Sequence, residues 1–348
     1  MTTRRRFLGG CTGAIATLGV AAWLPTAARS ATPQPSNGQG TGLFGSPSPA
    51  TSSATRVTIA RDGRTFATLQ AAVNQGGTIE LSAGELDGLA ACAFTSRPIR
   101  IVGAGTTLHA RGIADKGIII VNGDTTLEDI AIAGARSTVR NGAGVRHQAG
   151  TLLLRKVKLQ DNENGLLGPP ASAHAPLLDL DECEVDGNGD GSGYSHGLYV
   201  GNVMRFVCRR SRFHATAVGH HIKSRAHAST IEHCEIGTDF DGTESYNIDA
   251  PQAGEVAVVD CVLRQGPRTA NPAMLHYGGE INVHSPRALR IVRCRFESKA
   301  GGTAIRNVLP DVVAEIVDCE FIGVDRAVFG RYTMRGCRLN AEALPDRS

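Results

Sequence analysis

Residues 231–236 read Ile-Glu-His-Cys-Glu-Ile, and the hexad returns as Val-Val-Asp-Cys-Val-Leu at 258–263, Ile-Val-Arg-Cys-Arg-Phe at 291–296 and Ile-Val-Asp-Cys-Glu-Phe at 316–321. Apolar and polar residues alternate around a fixed fourth position, the pattern of short strands with one buried face. Read outward from these hexads, the fixed position falls at Ile130, Val157, Cys183, Ser211, Cys234, Cys261, Cys294, Cys319 and Cys337, at spacings of 18 to 33 residues. A second short strand follows each mark, centred in turn on Val145, Leu166, Leu198, Ile222, Ile248, Leu275, Ile305 and Val328. Two staggered ladders of short strands, separated by Gly, Asn and Asp turns, describe a solenoid.

The expected fold is therefore all-β: one right-handed parallel β-helix formed by a single chain over residues 56–348. Such a solenoid needs a cap over the open end of its core. The segment Thr65–Val73 supplies one, a short helix with Phe66, Leu69 and Val73 on one face and Thr65 as N-cap. Irregular spacing and the lack of an LxxLxL pattern exclude leucine-rich and hexapeptide solenoids. Coils of this length resemble the pectate-lyase-like parallel β-helix superfamily.

Composition agrees. The 348 residues include 42 Gly but only 5% aromatics, which suits short strands and tight corners. The net charge of +3 arises at the N-terminus: Arg4, Arg5, Arg6 and Arg29 lie in the first 31 residues, which hold no acid. Beyond them 32 basic residues face 33 acidic ones, a balance that excludes a nucleic-acid or acidic-membrane footprint.

Residues 1–31 carry a charged start, an apolar run from Gly9 to Leu24 and small residues near Ala27-Ala28, and resemble a twin-arginine export signal. The apolar run is shorter than the ~20 residues a spanning helix needs. Cys11 precedes that run, unlike a lipidated cysteine. Residues 32–55, rich in Pro, Gly, Ser and Thr, read as a flexible linker. The expectation is a periplasmic or extracellular monomer with no membrane anchor in its mature form.

Six of the remaining eight cysteines sit at the fixed inward position of successive coils. Their parallel Cβ vectors suit disulfides poorly, and a chain folded before export meets no oxidant. The ladder is expected to remain buried thiols acting as small hydrophobes. With no CxxC in the chain, catalytic and zinc roles are not expected of them.

The second ladder carries the candidate chemistry. The residues after its apolar centres run Tyr199, Lys223, Asp249, His276 and Arg306, a stripe with neighbours about 4.8 Å apart. Strict alternation puts His221, Lys223 and Arg225 together on the outward face, and His196 and His220 inward. Eight of the eleven His residues and four of the five Tyr fall between 194 and 284. Tyr246, Tyr277, Glu280 and His284 join Asp249 and His276 as candidate substrate-binding groups. Asp186–Gly191 begins like a Ca²⁺ loop but has Gly197 where the bidentate Glu belongs, so calcium is carried only as a candidate and no metal ligands are assigned.

The run Gly219-His220-His221-Ile222-Lys223-Ser224-Arg225-Ala226 resembles the Lys-Ser signature of the chondroitinase B and alginate lyase family. Residues 194–296 as a whole resemble uncharacterised exported bacterial β-helix repeat proteins, through His196-Gly197-Leu198-Tyr199, Ser245-Tyr246-Asn247-Ile248-Asp249 and Tyr277-Gly278-Gly279-Glu280. The lyase resemblance implies that Lys223 acts as the base of a β-elimination, assisted by an Arg; the acidic and Asn calcium ligands of that family have no counterparts beside it.

Elimination from a uronate requires a cation against the carboxylate, a base for the neighbouring proton and a donor to the leaving oxygen. On this reading Lys223 is the base, lowered by the like charge of Arg225. Arg225 or Arg306 neutralises the carboxylate, and Tyr199 or His221 donates. The sequence thus suggests an exported carbohydrate-active protein whose partner is a polysaccharide, with a lyase placed first. A glycoside hydrolase using Asp239, Asp241 and Asp249, or a non-catalytic glycan-binding or cell-envelope protein, is the alternative.

Overall fold

Three strands with an αL corner between the first two make the repeating unit. The computed structural model describes residues 57–237, 242–281 and 283–348. The export segment, the linker and the candidate acids Asp239 and Asp241 lie outside the described residues. The regular secondary structure of the described chain is almost entirely strand, with one α-helix and one short 3₁₀ turn. Ten parallel strands from Ala93–Thr95 to Arg326–Phe329 stack as one face of a β-solenoid.

The first ladder of the sequence becomes two faces. Asp129, Lys156, Glu182, Arg210, His233, Asp260, Arg293 and Asp318, each directly before the fixed position, have φ between 48° and 54°. That left-handed residue bends the strand and aims the next side chain into the angle. In the last coil Gly336 takes the same place, with φ 65°. Both faces belong to one 22-stranded sheet folded at these corners. Register keeps like residues stacked, with Leu154 paired to Leu127 and Val157 to Ile130, and it shifts at Val102–Thr106 and Ala253–Glu255.

The interior is a column of stacked apolar side chains. Leu166, Leu198, Ile222, Ile248, Leu275 and Ile305 are buried down the third face, and Phe206, Phe213, Phe296 and Phe321 fill the width. All eight described cysteines are free and buried. Cys208 and Cys234 bring their sulfurs to 3.8 Å, and Cys234 N–H donates to Cys261 Sγ at 3.4 Å.

The helix Leu69–Val73 caps the column with Leu69, Ala72 and Val73. Its N-cap is Thr68, not Thr65: the Thr68 hydroxyl accepts from Ala71 N–H at 3.2 Å. Thr65 and Phe66 belong instead to the strand Arg64–Phe66, which pairs antiparallel with Ile59–Arg61. Strand pairing at the open end of the sheet takes these residues before the helix starts.

Candidate functional site: an imidazole-lined stripe on the third face

The strands Leu198–Val200, Ile222–Ser224, Ile248–Ala250, Ala273–Tyr277 and Thr303–Asn307 carry the stripe. Register places Tyr199 beside Lys223, Lys223 beside Asp249, Asp249 beside His276 and His276 beside Arg306. All five leave the outer surface of one face.

Asp249 is its electrostatic centre. Only 3% of the residue is exposed, and its carboxylate is surrounded by nitrogen. Oδ1 lies 2.8 Å from His276 Nδ1, and Oδ2 lies 3.4 Å from both Lys223 Nζ and His220 Nε2. Burial alone would raise this carboxyl; the His276 hydrogen bond and the electrostatic pull of His220 and Lys223 outweigh it and hold it below the usual carboxylate range. An ionised carboxylate only accepts, so His276 Nδ1 is the donor, and in the neutral ring the lone pair sits on Nε2.

Four further contacts turn this pair into a ladder of five rings. His196 stacks on Tyr199 (centroids 5.8 Å apart) and on His220 (4.8 Å, planes 7° apart). Tyr246 then stacks between His220 (5.1 Å) and His276 (4.9 Å). The backbone sets two tautomers: Tyr246 N–H donates to His220 Nδ1 at 3.2 Å, and His220 N–H to His196 Nδ1 at 3.1 Å. Both rings therefore carry their proton on Nε2, and His220 turns it toward Asp249. Burial drives His220 down to about 4 and His196 well below its ordinary value, so both are neutral at physiological pH.

Several sequence expectations change here. His221 is fully buried, not outward: its Nδ1 meets Thr216 Oγ1 at 2.8 Å inside the core, and burial pushes it down to about 3. His220, expected inward, is the one that faces the groove. The reason is local: the strand starts only at Ile222, and a bend at His221 breaks the alternation that would have placed both rings the other way. Tyr277 is a core residue, wholly buried, with its hydroxyl donating to Gly254 O at 2.6 Å.

Nor does Arg225 crowd Lys223 with like charge. A carboxylate, Asp249, faces the ammonium, and the Arg225 guanidinium is taken in bidentate fashion by Glu280, with Nε to Oε2 at 2.9 Å, while lying over the Tyr199 ring. His284 closes the same corner: its Nε2 is 3.0 Å from Arg225 O, and its ring stacks on His227 at 3.8 Å. Arg306 is exposed, over the Phe329 ring, and no carboxylate is paired with it among the described residues. Beside His276 runs Gly279 at φ +107°, where a Cβ would lie 3.3 Å from Nε2 and 3.0 Å from Cε1. Glycine there keeps the ring's free edge open.

The stretch read as a calcium-loop candidate is a corner. Asn188 points inward, donating from Nδ2 to Leu159 O and Asp186 O and accepting at Oδ1 from Asn162 N–H. Asp190 accepts from Ser192 and Ser195. Glu184, Asp186 and His214 do cluster, but both ring nitrogens of His214 already face carboxylates, at 3.0 Å and 3.3 Å.

His196, His220 and Gly279 are site residues that alternation missed. The signal that finds the two imidazoles is the residue preceding each strand, where Gly197 and His221 mark the bend, as Asn247 does after Tyr246.

The fold and this stripe define a parallel β-solenoid with an imidazole-rich outer groove. No family model matches the chain, and no curated protein sequence does. A solved structure titled "Geobacillus virus E2 - ORF18" is similar in fold, with a TM-score of 0.51 and 14% identity over 78% of this chain. The chain spans 56% of that protein's length, and at this identity the likeness is one of fold.

Proposed function

We propose that the protein is an exported, carbohydrate-active enzyme that cleaves a uronate-containing polysaccharide by β-elimination. The observation that carries this reading is the Asp249–His276 pair with Arg306, which meets no carboxylate among the described residues, on the adjacent strand. In this reading His276 Nε2 takes the proton from the carbon bearing the carboxylate. Arg306 stands against that carboxylate, making the proton acidic. The C–O bond at the next carbon breaks, its electron pair leaves with the oxygen, and a C=C bond remains.

Tyr246, stacked on His276, is the nearest phenol and supplies the proton to that oxygen. Tyr199 stands three strands from His276, about 14 Å away, too far to serve the same bond. Asp249 orients His276, while Lys223 and His220 hold Asp249. This moves the base from Lys223 to His276, because the Lys223 ammonium is committed to Asp249 and the His276 lone pair is not.

The test is incubation with a panel of acidic and neutral polysaccharides, following ultraviolet absorbance of unsaturated product and reducing ends together. Both signals rising on an acidic polymer is the expected result. Reducing ends alone would make it a hydrolase, and binding with neither signal a glycan-binding protein.

A further inference from the structure

The turns that leave the third face differ in length in a way that builds a second site. After Leu198–Val200, Ile222–Ser224 and Ile248–Ala250 they are two, three and two residues long. The flanking turns are longer: seven residues between Leu167 and Ala175, and six between Tyr277 and His284. Three low coils between two high ones make a saddle about 19 Å from wall to wall, four strand steps.

A cleft of about 590 Å³ occupies it, lined on one wall by Pro169, Pro170 and Ala171 and on the other by Glu280, Val283 and His284. Tyr199, Asn202, Arg225 and Gln252 form its floor. Both walls are tied down. Asn202 N–H donates to Pro169 O at 3.0 Å and Asn202 Nδ2 to Ala173 O at 2.8 Å, while Glu280 and His284 grip Arg225. The cleft is built before any ligand arrives.

Its chemistry differs from that of the stripe it opens onto. Arg225 and Glu280 cancel, no other lysine, arginine or carboxylate lines it among the described residues, and its two imidazoles, His227 and His284, stack on each other. Proline rings and Val283 offer apolar walls, and the amides of Asn202 and Gln252 lie on the floor. Apolar walls with a few polar groups suit a ring having one C–H face and an edge of hydroxyls. Among the described residues the stripe, with Lys223, Arg306 and a single carboxylate, Asp249, keeps an excess positive charge.

We infer that the saddle is a subsite for a neutral glycosyl residue, and that the substrate is a heteropolymer in which a neutral sugar neighbours the uronate. The polymer then crosses the edge of the solenoid, from stripe to saddle, instead of running along its axis. The inference rests on the uronate reading of the stripe.

The test is an NMR titration with two probes, a neutral hexose or N-acetylhexosamine disaccharide and a uronate disaccharide. The proteins are the wild type, Ala171→Trp and Val283→Trp on opposite walls, and Arg306→Ala on the stripe. Both wall variants should weaken the neutral probe by about tenfold or more and leave the uronate probe unchanged. Arg306→Ala should do the reverse. Neutral binding that survives both wall variants, or that is absent from the wild type, overturns the subsite. Uronate binding indifferent to Arg306→Ala would instead sink the reading of the stripe, and the wall variants would still decide the saddle.

Discussion

Two ladders of repeated side chains run along this solenoid, and they are built on the same rule with opposite outcomes. At the inner corner the thiols of Cys183, Cys234, Cys261, Cys294, Cys319 and Cys337 recur coil after coil, buried and free, touching main chain and one another. On the third face Tyr199, His196, His220, Tyr246 and His276 recur in the same way, but beside a buried carboxylate with three nitrogens around it. Repetition alone therefore signals packing. Repetition combined with a desolvated, cross-strand charge network marks a place where chemistry can be done.

The contrast can be broken from either side. The largest effect is expected from Asp249→Asn. The amide still accepts from His276 Nδ1 but no longer fixes its tautomer, and Lys223 loses its counter-charge. Turnover should fall by about 10²–10⁴-fold, as when the carboxylate behind a catalytic imidazole is neutralised. Unfolding free energy should drop by about 3 kcal/mol, the cost of stranding one partner of a buried pair. Denaturant melts and rates on the same preparation check both; unchanged values in both would return Asp249 to an ordinary surface role.

Acid is the next probe. His220 and His221 have native values of about 4 and about 3, below the ordinary 6.5. Between 6.5 and those values the unfolded chain binds protons that the native chain refuses. The stability these rings contribute is thus complete above 6.5 and lost as pH falls toward 4 and 3. Asp249, also depressed, adds a loss of the same sign below the usual carboxylate range. An unfolding free energy, from denaturant melts, that falls by an amount on the order of a few kcal/mol between pH 7 and 4 is expected; a flat profile contradicts the buried, neutral rings.

The smallest effect belongs to the other ladder. Cys261→Ala removes one buried sulfur and should cost about 1 kcal/mol, with turnover unchanged. A large loss of activity there would mean that the two ladders are coupled, which their separate positions in the coil do not suggest.

How far the chain's residues announce this architecture depends on what each argument uses. The solenoid and the order of the stripe follow from a period-2 pattern repeated many times, so errors in one coil are corrected by its neighbours. Tyr199, Lys223, Asp249, His276 and Arg306 all fell in register for that reason. The corners were less legible. Before the last coil, where Gly336 turns the chain, they are made by left-handed Asp, Lys, Glu, Arg and His residues, so one apparent ladder hid two faces.

Where the strand gives way to a bend, alternation stopped applying, and His220 and His221 exchanged places. Lys223 illustrates a further limit. Its neighbour along the chain, Arg225, suggested repulsion, whereas its neighbour across the strands, Asp249, supplies attraction. Pairing partners two coils apart, such as Arg225 and Glu280, leave no local trace in the sequence.

On the proposed reading, the outer ladder does chemistry through His276. The decisive measurement is unsaturated product from an acidic polysaccharide with His276→Gln beside Lys223→Ala, both checked to be folded under the assay conditions. The account predicts that His276→Gln loses product formation by about 10²–10⁴-fold while Lys223→Ala retains a larger share. Full turnover by His276→Gln, with loss confined to Lys223→Ala, would contradict it and return the base to the lysine.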